Sequence, residues 1–537
     1  MNQTRKRMLP GWWSRIRPAV RAAMLCCFAA GFLAHIFAFT NIIPNSDGIS
    51  RVNDLQQMTV SGRWFLHYAS AWNGYVQAPA VIGFFSLLFL SLASGLTVEL
   101  LKLHNPVLGG LCGALMAVFP TVAYTFLYLF TASAYCFGIL LAVLAVWLIP
   151  RHRFGFLFAV PILACALGTY QAYLAVAAAL SLICVLRYAL EGNHTGRQIL
   201  LTGLRFLVFL LLGLLLYYGV LRLFLWIKDL ELLNYKGIGS LSETLSPKRL
   251  PRLIVSAYRD FLCYYFVPHK AANYTTPIFA AGSGLLALVG LWSFVRLLLE
   301  KRKELKPGAL ALILLLCALL PLACNLTVLM SHVMPVMRYA LVFPYVLALA
   351  LTDRAALRWK RMEKASPRGG ALLRRAAGIA AVLLCLVSFN IDNLAYTVSA
   401  TAHRATQSFA TRLVERVEST PGYRADMEVL VIGGFPSKTY YSKVEDFDLV
   451  TDYSNLSSSV IPLNKHVYYY LNDWLNVRWQ EPPEETMIAV SDSEVFRAMP
   501  LYPSEGSVAV VDGRVIVKLA NHYTPKREYE IAYENRR

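Results

Sequence analysis

The chain has 537 residues, 57% hydrophobic and only 15% charged, with a mean hydropathy of +0.49. That is too apolar for a soluble enzyme of this size. Its formal net charge of +19 does not require a nucleic-acid partner. Residues 397–537 hold fifteen Lys/Arg against nineteen Asp/Glu, a balance of −4 that leaves +23 on the apolar part. Positive-inside bias and anionic lipid headgroups explain such an excess.

Spanning a bilayer takes ~20 consecutive apolar residues. Such runs recur at about 20–43, 78–101, 106–130, 131–149, 154–170, 171–190, 199–227, 276–299, 308–330, 338–352 and 374–396, which predicts about eleven spans and a polytopic α-helical membrane protein. The preceding residues 1–19 form a basic tail, and no small-residue cleavage site follows the first run, so it reads as a retained span. With that tail inside, the basic groups Arg151-His152-Arg153, Arg187 to Arg205, Glu300-Lys301-Arg302-Lys303 and Arg354 to Arg375 all fall on the cytoplasmic side. An odd number of spans then puts residues 397–537 outside. Nine of the ten cysteines lie in apolar runs and only Cys263 in a loop, so neither a disulfide framework nor a metal motif is expected.

Residues 397–537 change character and predict a small extracytoplasmic α/β domain. Met427–Gly434 reads as a strand ending in a turn. Ser507–Leu519 reads as a hairpin around Asp512-Gly513, and 399–418 and 491–499 read as helices. Nothing resembling a nucleotide-binding loop follows Gly433-Gly434.

The chemistry concentrates in the external loop 44–77, which holds Asp47, Arg51, Asp54, Arg63, Trp64, His67 and Trp72. A helix would place Asp47, Arg51 and Asp54 on one face, at i, i+4 and i+7. A carboxylate there can take a proton from an acceptor hydroxyl, and arginines offer fixed forks of donors to a phosphate. The competing reading is a solvated loop with a surface ion pair. Loop 228–275 carries Arg259, His269 and Lys270 among several tyrosines, which suits a lipid phosphate and equally an ordinary headgroup-anchored loop. His332 and Arg338 flank the short loop between spans nine and ten, where phosphate contact competes with snorkelling.

Asp47-x3-Arg51 followed by Gly62-Arg63-Trp64, together with Gly168-Thr169-Tyr170-Gln171-Ala172-Tyr173-Leu174, resembles the membrane glucosyltransferase (Gtr) family that decorates O-antigen with glucose. The resemblance covers most of residues 20–400. It implies a GT-C-like core in the bacterial cytoplasmic membrane, a polyprenyl-phosphate sugar donor, and a cell-surface glycan acceptor on the outer face. It also makes Asp47 the candidate base and adds Arg51, Arg63, Tyr170 and Gln171 to the site. Family members often show two adjacent acids where Ser46-Asp47-Gly48 offers one. No cofactor is expected, and dependence on a divalent cation stays open. A polysaccharide polymerase or ligase would more often carry its key arginines late in the membrane core. A lipid-linked sugar transporter or flippase should show paired charges deep in the spans.

Overall fold

The computed structural model describes residues 11–44, 48, 53–232, 249–267, 276–302, 304–329, 333–362, 368–435 and 467–525. Asp47, Arg51, His269, Lys270 and His332 lie outside the described residues. The chain divides into two compact units, Met1–Asn41 with Asn53–Asn393, and Ile42–Val52 with Leu394–Arg537.

Ten described helices are long and apolar enough to cross a membrane, and Gly155–Thr169 is a shorter apolar helix. The membrane-spanning character expected from hydropathy is therefore present, with each predicted run on a helix. With Pro106–Leu127 counted as two helices and one amphipathic helix added, the longer helices in order are α1 (Pro18–Thr40), α2 (Pro79–Leu100), α3 (Pro106–Val118), α4 (Pro120–Leu127), α5 (Leu129–Arg151), α6 (Gly155–Thr169), α7 (Tyr173–Glu191) and α8 (Gly196–Ile227). They continue with α9 (Leu250–Phe266), α10 (Pro277–Lys301), α11 (Pro307–Cys324), α12 (Phe343–Met362) and α13 (Arg368–Glu418). Proline opens many of them at the first turn, where its missing N–H costs nothing and its fixed φ suits the helix.

Three details differ from the sequence reading. The run 106–130 breaks at Phe119, whose extended backbone separates α3 from α4 before Pro120. Loop 228–275 contains the amphipathic helix α9. The span near 338 opens as a 3₁₀ segment, Pro335–Val342, with Arg338 out of helical geometry.

Close packing within the first unit depends on small residues. A Cβ on Gly109 would lie 2.5 Å from the Ala19 carbonyl oxygen, and one on Gly113 only 2.0 Å from that of Ala23. The Gly109-x3-Gly113 spacing thus lets α3 lie backbone against backbone on α1, the usual device for packing helices in lipid.

One end of the bundle is knitted by charge. Glu191 at the end of α7 pairs with Lys102, Arg187 and Arg354. Glu99 takes Arg151 at 2.7 Å and the Trp147 indole at 3.3 Å, while Arg17 donates to its backbone carbonyl. Asp353, 1% exposed at the side chain, accepts from the His104 and Asn105 amides at 2.7 and 3.2 Å and from both Nε and Nη2 of Arg374.

The second unit contains a three-stranded sheet, β1 (Val429–Ile432), β2 (Val508–Val511) and β3 (Arg514–Lys518), in the order β1-β3-β2. β1 runs parallel to β3, and β2 antiparallel. Asp512 and Gly513 both take positive φ, +50° and +75°, as a two-residue hairpin turn of the right twist requires. Helices Val467–Leu475, Glu484–Asp492 and Glu494–Ala498 join the sheet. The helix expected at 491–499 is interrupted at Ser493, which caps the short one by accepting from the Phe496 amide. The helix expected at 399–418 is the continuation of α13. Tyr468 locks onto β1 by donating to the Val429 carbonyl and accepting from the Val431 amide, and burial holds its phenol above the usual range.

Replacing Asp353 with Ala strands two backbone amides and Arg374 at the charged end. Breaking such a buried pair costs about 3–5 kcal/mol. The detergent-solubilised variant is expected to melt well below the wild type, and an unchanged midpoint would contradict this role.

Candidate functional site

The segment after the first long apolar helix has little regular structure, so its order comes from individual contacts. Asn53 bridges to Val76, and the Asp54 amide donates to the Tyr75 carbonyl at 3.0 Å. Asn53 thus sits in a bridge and 54–57 are irregular, so the helical face expected to carry Asp54 is not formed there. Asp54 instead closes a local turn, its Oδ1 accepting from the Gln56 amide at 2.8 Å. Residues Thr59–Ser61 make one 3₁₀ turn that ends at Gly62, whose φ is +80°.

Gln171 fastens that turn to the bundle. Its Nε2 donates to the Ser61 carbonyl at 2.9 Å and reaches the Tyr217 hydroxyl at 3.1 Å, and Tyr217 of α8 donates to the Gly62 carbonyl at 3.1 Å. A Cβ on Gly62 would sit 2.4 Å from Gln171 Nε2 and 2.7 Å from Tyr217 Oη, so only glycine fits on both steric and conformational grounds. Just beyond, the Phe65 amide donates to the Gly168 carbonyl at 2.8 Å. The Trp64 ring lies directly over Gly168, is 7% exposed, and stacks on Phe224 of α8 at 5.8 Å.

Arg63, the residue between, places its guanidinium 4.9 Å from the centre of the Tyr170 ring. Tyr170 is buried and stacks on Tyr135 at 4.7 Å. A cation over an aromatic face is attracted by the ring quadrupole, so Tyr170 orients Arg63 without neutralising it. Arg63, Trp64, Tyr170 and Gln171, which come from two distant stretches of sequence, are therefore one assembly.

This assembly borders a cleft of about 140 Å³ lined by Gln56, Gln57, Met58, Thr59, Arg63, Trp64, His67, Tyr68, Phe224 and Lys228. Cations stand at Arg63 and Lys228, amides at Gln56 and Gln57, and aromatic faces at Trp64, Tyr68 and Phe224. His67 Nδ1 lies 2.6 Å from the Leu55 carbonyl. A carbonyl only accepts, so that nitrogen carries the proton, and the ring stacks on Tyr75 at 4.9 Å. The backbone of Gln56 is left-handed, with φ +55°. For a residue other than glycine this stores on the order of 1–3 kcal/mol, a cost that clusters at functional sites.

Two other predicted residues, Arg259 and Arg338, lie elsewhere in the same unit. Arg259 is exposed on α9, and its neighbour Asp260 pairs with Arg338 at 3.5 Å. Arg338 is 6% exposed and does not line the cleft. Asp392 of α13 is fully buried, with neither carboxylate oxygen hydrogen-bonded among the described residues, and it too stands apart from the cleft. Among the described residues no three His, Cys, Asp or Glu side chains gather into a metal site.

Lys228, Phe224 and Tyr217 were not legible as site residues. Their signal is faint, a single lysine and two aromatics at the end of a long apolar run.

A profile of the family described as glucosyl transferase GtrII matches residues 36–351, more than half of the chain. The chain belongs to the glucosyl transferase GtrII family. A comparison with curated proteins returns no match. The matched stretch contains every residue of the cleft, along with Arg259 and Arg338, whereas the sheet of the second unit lies beyond it. The glycosyltransferase chemistry of the GtrII family is thus to be sought within residues 36–351.

Gly62→Ala tests the fastening directly. The added methyl must displace Gln171 or Tyr217, and glucosyl transfer is expected to fall by roughly ten-fold or more, the rate equivalent of ~1.4 kcal/mol. The melting midpoint of the bundle should stay near that of the wild type. Wild-type turnover in this variant would show that the turn does not position the site.

Proposed function

We propose that the chain transfers a hexosyl group, glucose by family membership, from a polyprenyl-phosphate donor to a cell-surface glycan. Transfer takes place on the outer face of a bacterial cytoplasmic membrane, in the manner of GT-C enzymes. The observation that carries this reading is the cleft, where Arg63 and Lys228 bring two cations to neutral amides and aromatic faces. Ligand pockets usually measure ~300–1,000 Å³. At about 140 Å³ this cleft suits the phosphate and first sugar of a donor whose long tail stays in lipid.

The surroundings support lateral entry. Phe224 and Lys228 belong to the end of α8, whose neighbouring residues Leu223, Trp226 and Ile227 are 50%, 79% and 64% exposed. An isoprenoid laid along that face would bring its phosphate to the two cations. The charged end of the bundle, with Arg17, Lys102, Arg151, Arg187 and Arg354, is the end the positive-inside rule assigns to the cytoplasm. The cleft is at the other end of α8. Nucleotide sugars are not available outside, but lipid-linked sugars are.

In this reading Asp47 removes the proton from the acceptor hydroxyl, whose oxygen attacks the anomeric carbon through an oxocarbenium-like transition state. The bond from that carbon to the phosphate oxygen breaks, and the polyprenyl phosphate leaves with the electron pair. Arg63 and Lys228 stabilise the departing phosphate. Arg51 and Asp54 belong to the same external segment. Arg259, His269, Lys270 and His332 serve the lipid-headgroup side, Arg338 holds Asp260 beside Arg259, and the second unit serves the acceptor. No resident cofactor enters this scheme.

Purified protein supplied with polyprenyl-phosphate glucose and a glycan acceptor tests the proposal. Asp47→Asn is expected to lower transfer by at least ~10²-fold while the protein folds normally. Full activity in that variant would remove Asp47 as the base. Arg63→Gln and Lys228→Gln are each expected to lower kcat/KM for the donor by ~10- to 100-fold, the effect of losing a charged hydrogen bond of about 1.5–3 kcal/mol. Unchanged donor kinetics in both would place the phosphate elsewhere. Growth of a polymer in place of single-residue transfer would favour a polymerase.

A further inference from the structure

Gln56 has a feature that neither the ordering of its segment nor the phosphate contacts account for. Its backbone does the structural part: the amide donates to Asp54 Oδ1 at 2.8 Å, and the carbonyl accepts from the Met58 amide at 2.9 Å. The side chain is 2% exposed and borders the cleft, and its Oε1 has no hydrogen-bond partner among the described residues. Buried side-chain acceptors are nearly always satisfied, and each exception calls for an explanation. Here the flanking residues are held on both sides. Leu55 is tied to His67, Asp54 to Tyr75, and Met58 accepts from the Arg63 amide at 3.1 Å. A left-handed residue clamped this firmly, bordering a cleft and with an acceptor that no described residue meets, is suited to a donor group brought by a ligand.

We propose that Gln56 is a specificity-determining residue whose Oε1 accepts a hydrogen bond from one hydroxyl of the sugar bound in the cleft. The inference rests on the transfer reading above, with the hexosyl ring of the donor as the ligand. The cations of the same cleft, Arg63 and Lys228, take the phosphate, and the neutral amide takes the adjoining ring. A polar group dedicated to one hydroxyl rejects an analogue that lacks it, because the buried acceptor is then left unpaired.

The test uses full-length protein in lipid, with polyprenyl-phosphate glucose and the four monodeoxy versions of its sugar. Both equilibrium binding and transfer are measured for the wild type, Gln56→Met and Gln56→Glu. Wild-type protein is expected to penalise one deoxy position by about 10²-fold or more. In Gln56→Met, which keeps the length and loses the acceptor, the penalty at that position collapses to near unity while those at other positions persist. Gln56→Glu keeps an acceptor and retains it. A merely structural role would lower all donors together and leave the pattern intact, which overturns the inference, as does a full penalty in Gln56→Met. Selective binding without transfer would uphold Gln56 and remove the transfer reading. Failure of the wild type to bind any of these donors would remove both.

Discussion

The carboxamide of Gln171 is the contact on which the segment 53–78 depends. Residues 53–78 have no sheet and only short helical turns, so their position must be imposed from outside the segment. One amide nitrogen, shared between the Ser61 carbonyl and the Tyr217 hydroxyl, joins the start of α7 to the turn at Gly62 and to α8. Because Tyr217 donates onward to Gly62, the three groups satisfy one another away from water, where an unmet polar group is costly. Arg63 and Trp64 follow the fixed glycine directly, so their places over Tyr170 and Gly168 are set by the same knot.

The two ends of the bundle achieve order by different chemistry. At one end full charges are paired, with Glu191 alone taking three cations. At the other, neutral amides, hydroxyls and backbone carbonyls hold the segment, and the cations that line the cleft rest on aromatic rings. Arg63 lies over Tyr170, and Lys228 is 5.8 Å from the Phe224 ring centre. Rings steady a cation's position through the negative face of the π-system.

Much of the membrane unit was legible in the sequence because lipid makes long apolar helices nearly obligatory. Gly62-Arg63-Trp64 and Tyr170-Gln171 were legible as two separate motifs. That they meet was not, since nothing in either stretch names its partner. The halves of the cleft contributed by α8 were hidden for a simpler reason. Tyr217 and Phe224 are as apolar as their neighbours in a 32-residue helix, and one terminal lysine reads as an interfacial anchor. α9 was masked by its mixture of basic and aromatic residues, which resembles a headgroup loop until the helical period is followed through 250–266. Asp54 misled in another way. Its spacing suggested a helix face, whereas a preceding bridge and a turn of its own side chain win over that weak local preference.

The length of α8 carries a consequence of its own. Thirty-two residues at 1.5 Å each make a rod of about 48 Å, against a hydrocarbon thickness of about 30 Å. Tilting absorbs part of this mismatch, and the rest lifts the helix terminus toward the plane of the headgroups. Phe224 and Lys228 stand at that terminus, so the height of the cleft is measured out by a helix. Bilayer thickness then becomes a variable of the site itself, because a thicker membrane draws the same two side chains down toward the acyl chains.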